Sequence, residues 1–244
     1  MIVLDEADEL IKPLARHATL KEKINRSRHP KATELILKLI LKISKGIQLI
    51  CSSATVNTRL TMELHQYGFI HPIKIKMEDE YSGPNTVQHA FYISPPDKKI
   101  QILCNLYSKL CFPKPALVII DGASSIQSVE ERISSYGVNV KSLYKVLSNP
   151  SEKEREEFKK EFNSGKIQMA LATEDSIRGI DFVTLEYVFL LAPAKDANSY
   201  LHLSGRTGRL NNKGVAVSII TDDELSRFDQ NAAYLNLKTR RIEI

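Results

Sequence analysis

The chain has 244 residues, 43% of them hydrophobic and 26% charged, with a formal net charge of +5. This is ordinary globular composition, enough for one large domain or two modest ones, and the basic excess suits a polyanionic partner without requiring one. Three cysteines, Cys51, Cys104 and Cys111, without Cys-x-x-Cys spacing argue against a disulfide framework or zinc site. They favour a reducing, intracellular setting, with nucleus, cytoplasm and organelle left open. No stretch reaches the roughly 18 apolar residues that span a bilayer, so no membrane partner is expected.

The first apolar run, Ile2 to Leu4, reads as a buried strand ending in Asp5-Glu6-Ala7-Asp8. Carboxylates at the carboxyl end of such a strand occupy the usual ligand position of an open α/β sheet, though acidic residues also suit a helix start. Residues 12–31 are rich in Lys and Arg, including Arg26, Arg28 and Lys31, and read as an exposed, partly irregular insertion. Both a solvated basic face and a contact with RNA phosphates fit it. The pattern then predicts a helix over 32–45, a strand over 47–51 ending in Ser52-Ser53-Ala54-Thr55, a helix over 57–67 and a short strand over 73–76.

Residues 81–86, with Gly83-Pro84, read as a linker. Beyond it strands are predicted at 87–93, 116–120, 138–143, 167–172, 187–191 and 214–220. Helices alternate with them at 96–110, 124–136, 150–162, from Asp196 onward, and at 222–228. Alternation of this kind implies βαβ crossovers and a parallel sheet. The expected division is 1–80, linker 81–86, 87–230, and a tail over 231–244. Cys104 and Cys111 read as packing residues. The helix from Asp196 leads into His202-Leu203-Ser204-Gly205-Arg206-Thr207-Gly208-Arg209. Arginine forks match phosphate oxygens, and a glycine before each lets the backbone approach a ligand; a solvated basic turn would read the same.

Taken together, these strings resemble the DEAD-box family of ATP-dependent RNA helicases. Asp5-Glu6-Ala7-Asp8 is similar to its motif II, Ser53-Ala54-Thr55 to motif III, Arg178-Gly179-Ile180-Asp181 to motif V, and His202 to Arg209 to motif VI. The resemblance implies two RecA-like parallel-sheet domains of α/β class, the first truncated at its N-terminus, with ATP, Mg²⁺ and RNA as ligands. Protein cofactors are not identified by it, and no obligate oligomer is implied. It further implies that Asp5 organises Mg²⁺ and Glu6 acts on the attacking water. Arg206 and Arg209 would reach the γ-phosphate, with Gly179 and Asp181 also at the nucleotide. Ser53, Thr55, Asp8 and His202 would couple nucleotide state to RNA binding, and Thr173, Arg155 and Arg178 would contact RNA.

The sequence also departs from the family pattern. Leu203 stands where motif VI usually has arginine, Asp121 and Gly122 end the motif IV strand, Glu152 replaces a glutamine, and Glu174 replaces an aspartate. No Gly-x-x-x-x-Gly-Lys-Ser/Thr phosphate loop occurs. The expectation is therefore the C-terminal part of a helicase, inactive alone; the alternative is a non-catalytic RNA- or protein-binding module.

Overall fold

The computed structural model describes residues 1–11, 13–14, 17–43, 46–53, 58–69, 71–75, 86–122, 124–143, 151–174, 176–177, 182, 185–210 and 212–243. The chain divides into two compact units, Met1–Glu78 and Asp79–Ile244.

In the first unit, strands β1 (Ile2–Leu4) and β2 (Leu49–Cys51) pair in parallel, with Leu4 opposite Cys51. The helices among the unit's described residues are α1 (Ala7–Ile11), α2 (Leu20–Arg28), α3 (Ala32–Ile43) and α4 (Thr58–Gln66). The core joins Leu4, Ala7, Ile11, Leu37, Leu60 and Tyr67. Helix α2 lies inside the stretch expected to be partly irregular. It has no apolar face to reveal it and buries none of its residues. A capping box between Thr19 and Glu22 starts it. Arg26 then ties it down, donating to the Ile11 carbonyl and pairing with the buried Glu34 carboxylate. Arg26 is thus a structural cation, and Lys21, Lys23, Arg28 and Lys31 form the exposed basic face. The strand expected at 73–76 is not formed over its described part: Ile73 and Ile75 lie outside any strand, almost fully exposed, and Lys76 lies outside the described residues.

The second unit is a seven-stranded parallel sheet. Its strands are β3 (Val87–Ile93), β4 (Ala116–Ile120), β5 (Val140–Ser142), β6 (Met169–Thr173), β7 (Tyr187–Leu190), β8 (Gly214–Ile220) and β9 (Thr239–Arg241), in spatial order 5-6-4-7-8-3-9. Among the described residues its helices include α5 (Lys99–Leu110), α6 (Ile126–Ser135), α7 (Glu152–Asn163), α8 (Ala197–Ser204) and α9 (Leu225–Tyr234). Every residue of β4 is buried, as a strand covered on both faces requires. Alternation along the strands sends Leu117, Ile119, Ala170, Ala172, Val188 and Leu190 to one face, where α7, α8 and α9 pack. Val118, Met169, Leu171, Phe189, Val217 and Ile219 face the other side with α5 and α6. Cys104 and Cys111 are buried there, and burial pushes the Cys104 thiol up to about 11. Both are packing residues, far from the reactive thiolate range.

The segment read as a tail is structured. Helix α9 begins later than expected, at Leu225, and runs on to Tyr234; β9 then adds to the sheet edge, with Ala90 opposite Arg240. Its start is delayed because Thr221 and Glu224 close a turn first: the Thr221 N–H donates to Glu224 Oε2 at 2.9 Å. No helix is long and apolar enough to cross a membrane among the described residues.

Candidate functional site

In the first unit, β1 delivers Asp5 to its carboxyl end, where Asp5 is exposed and Glu6 half-buried. The Ser52 hydroxyl donates to Asp5 Oδ1, and the Glu6 N–H reaches the same oxygen at 3.1 Å. Backbone bonds from Ser52 N–H to the Leu4 carbonyl (2.9 Å) and from Ala7 N–H to the Ser52 carbonyl (3.0 Å) lock the two strand ends together. Ser52, rather than its motif neighbour Ser53, therefore makes the hydrogen bond that orients Asp5. Glu6 has φ 49°, a left-handed conformation uncommon for a glutamate and the kind of local strain found at ligand sites. Asp8 is half-buried on α1, Ser53 follows the β2 end, and Thr55 lies outside the described residues.

In the second unit the candidate residues fall at opposite ends of the sheet. Thr173 closes β6 at the carboxyl edge, level with Ile120 and hence beside Asp121. Its hydroxyl is engaged locally: Thr173 Oγ1 lies 3.1 Å from Ser176 Oγ, the Ser176 N–H donates back to Thr173 Oγ1 at 3.3 Å, and Ser176 Oγ donates to the Thr173 carbonyl at 3.1 Å. This Ser/Thr turn starts the connection that carries Arg178, Gly179 and Asp181, all three outside the described residues. Arg155 is exposed on α7, which a Ser151–Glu154 capping box starts.

The arginine turn sits at the amino-terminal edge instead. Asp196 caps α8 through Oδ1, which accepts the Ser199 N–H at 2.8 Å. Leu203 points into the core, so the position where the family has arginine here makes packing contacts. His202 is half-buried. Gly205 ends the helix with its N–H on the Leu201 carbonyl at 2.9 Å. Thr207 is buried, its hydroxyl 2.6 Å from the Leu185 carbonyl and 2.8 Å from that of Glu186, just ahead of β7. Gly208 has φ +70°, and a Cβ there would lie 2.6 Å from Val87 Cγ2. Arg209 Nε donates to the Gly205 carbonyl at 3.0 Å. Arg206 is only 6% exposed and Arg209 half-buried, so the two forks are held within the fold rather than spread into solvent. Along the sheet, Thr173 and this edge are separated by about four strand residues, roughly 13 Å. A shallow groove along α9, lined by Asp222, Leu225, Ser226, Asp229, Gln230 and Ala233, contains none of the candidate residues.

Beneath α8 lies a buried polar pair. His89 Nδ1 is 3.1 Å from the Tyr200 hydroxyl, and Tyr200 packs edge-on against Phe228. Burial lowers the His89 pKa from 6.5 to about 4 and raises that of Tyr200. With its folded pKa below its unfolded value, His89 is neutral in the native state, and the unfolded state takes up the extra proton. Its contribution is fully present above pH 6.5 and is lost as pH falls towards 4, on the order of 3 kcal/mol in total. Thermal unfolding across this window is expected to show a steeper acid loss than in His89→Gln; parallel profiles would show that His89 does not titrate in this way.

The family model for the helicase conserved C-terminal domain matches residues 98–211, a span holding Thr173 and the arginine turn. The chain is 25% identical to ATP-dependent RNA helicase FAL1 of Kluyveromyces lactis over 98% of this chain and 56% of that protein. It is 29% identical to the probable ATP-dependent RNA helicase YfmL of Bacillus subtilis over 97% of this chain and 57% of that one. It therefore spans just over half the length of these relatives. Among solved structures, S. cerevisiae Dbp5 bound to RNA and ADP BeF3 aligns with a TM-score of 0.72 at 20% identity, over 99% of this chain and 59% of that one. The E. coli DEAD-box protein SrmB, bound to regulator of ribonuclease activity A, aligns with a TM-score of 0.56 at 20% identity, over 65% of this chain and 91% of the other. The α/β fold with its seven-stranded parallel sheet is thus of the RecA-like kind. The chain thus contains a helicase conserved C-terminal domain over residues 98–211 and is similar to ATP-dependent RNA helicases, among them proteins of the DEAD-box kind.

Proposed function

We propose that this chain supplies the Mg²⁺-carboxylate, arginine and RNA-contact parts of an ATP-dependent RNA helicase that remodels RNA duplexes or RNA–protein complexes. The observation that carries it is the arginine turn: two arginines on a tight glycine-threonine bend, fixed from several sides at one end of the sheet. Preorganised cations of this kind stabilise phosphoryl charge without reorganising during reaction.

The donor chemistry at β1 fits Mg²⁺. Asp5 is a hard, exposed oxygen donor pre-aimed by Ser52, and no group of three or more metal-binding side chains occurs among the described residues. A single carboxylate completed by phosphate oxygens and water is a usual Mg²⁺ arrangement. Bound Mg²⁺ would neutralise charge on the β- and γ-phosphates. Asp5 would hold that ion, Glu6 would orient the attacking water, and Arg206 and Arg209 would contact the γ-phosphate, with Gly179 and Asp181 beside the nucleotide. Thr173, Arg155 and Arg178 would touch the RNA backbone, so binding would depend little on sequence. Ser53, Thr55, Asp8 and His202 would link the two events.

A second reading, a non-catalytic RNA- or protein-binding module, is favoured by Leu203 lying in the core. One experiment separates them. Residues 1–244 alone are expected to show no RNA-stimulated ATP turnover, because they carry no phosphate-loop string whose backbone N–H groups and lysine would cradle the β- and γ-phosphates. A fusion that places a DEAD-box phosphate-loop segment ahead of residue 1 is expected to turn over ATP with RNA. A folded fusion that binds ATP and RNA without turnover would support the non-catalytic module. Robust turnover by 1–244 alone would show that the nucleotide site is misassigned.

A further inference from the structure

We propose that Thr86 is a positioning residue for the arginine turn, a latch that sets the backbone of Arg209; this rests on reading Arg206 and Arg209 as nucleotide contacts. Thr86 Oγ1 donates to the Gly208 carbonyl at 2.8 Å, across a large separation in sequence. That carbonyl belongs to the planar peptide unit whose other end is the nitrogen and Cα of Arg209, so fixing the oxygen fixes the plane from which the Arg209 side chain departs. Gly208, at φ +70°, is the most permissive hinge the turn could contain, and a tie from outside removes that freedom.

The anchor itself is rigid. The Thr86 carbonyl accepts the Gly214 N–H at 2.9 Å, and the next residue, Val87, pairs with Gly214 at the start of β3 and β8. Thr86 is therefore held by two central strands and passes their rigidity to the turn through one hydroxyl. Thr207 anchors the turn from the β7 side through the Leu185 and Glu186 carbonyls. Thr86 from the start of β3 and Thr207 from within the turn tie the same short loop to different strands, and neither contact is visible in the sequence.

The test is amide hydrogen exchange on the 244-residue chain, which needs no nucleotide. Thr86→Val keeps the shape and removes the donor. Exchange over residues 205–212 is expected to quicken by about fivefold, the worth of one ordinary hydrogen bond, while β4 and α5 stay protected. Thr86→Ser, which keeps the hydroxyl, is expected to restore wild-type exchange. Unchanged exchange over 205–212 in Thr86→Val would overturn the proposal, as would an even rise across the whole unit or a Ser variant that fails to rescue. If Thr86→Val does not fold, Thr86→Ala takes its place with the same expected pattern; failure of both to fold assigns Thr86 to general stability and overturns the latch. If exchange behaves as expected but the arginines prove dispensable for turnover, the functional reading fails and the latch stands.

Discussion

In a phosphate-loop fusion that turns over ATP, Arg206→Ala and Arg209→Ala are each expected to lower kcat by about 10³-fold or more. Nucleotide affinity should change by less than about tenfold, because a cation that meets the γ-phosphate chiefly in the reacting state contributes to the transition state more than to binding. The geometry gives the two variants different side effects. Arg206 is nearly buried, so its removal also disturbs packing and should lower the thermal transition. Arg209 is half-buried and braced on the Gly205 carbonyl, so its loss should leave stability closer to wild type. Arg209→Lys is the sharper control, since lysine keeps the charge but cannot keep the planar fork and its Nε donor together. A tenfold or greater loss of ATP affinity with unchanged kcat in the alanine variants would contradict the role.

Strands β4, β6, β7 and β8 were legible because each is a short run of apolar residues buried on both faces, a pattern that needs no partner to be recognised. Strand β9 was not, since Thr239-Arg240-Arg241 lies on a sheet edge where side chains stay in water and cations are favoured. Helix α2 was hidden for a related reason: it is held by a cap and by Arg26, and neither leaves a hydrophobic period. At the site, the motif strings were recognised by their resemblance to the family, and the arginine run taken alone read equally well as a solvated basic turn. What could not be read was placement. The β6 end and the arginine turn occupy opposite edges of one sheet, and the threonines and serines that set them are ordinary residues until the fold brings Thr86 to Gly208, Ser52 to Asp5 and Thr207 to Leu185. Ser176 alone had a local signal, three residues after Thr173.

Gly214→Ala is expected to destabilise the second unit by about 3 kcal/mol or more, a large effect for adding one methyl group. The added Cβ would lie 2.2 Å from Thr207 Oγ1 and 2.5 Å from the Gly208 nitrogen, distances no rotamer change can relieve because one of the atoms is backbone. Gly214 opens β8 and pairs with Val87, so the strand cannot shift without losing its register with β3. The displacement must therefore fall on the arginine turn, breaking the Thr207 bonds to Leu185 and Glu186 and leaving a buried hydroxyl without a partner. For a unit of this size each kcal/mol moves the transition by about 2–4 °C, so a drop of roughly 6–12 °C is expected. Adding Thr207→Ala should recover part of the loss by removing the side-chain clash, but not all of it, since the Gly208 nitrogen remains in the way. Gly122→Ala is the matched control: nothing lies within 4 Å of a Cβ there, and its effect should stay within about 0.5 kcal/mol. If Gly214→Ala and Gly122→Ala unfold at the same temperature, the close packing of β8 against the arginine turn is wrong, and with it the claim that the arginines are fixed by the sheet.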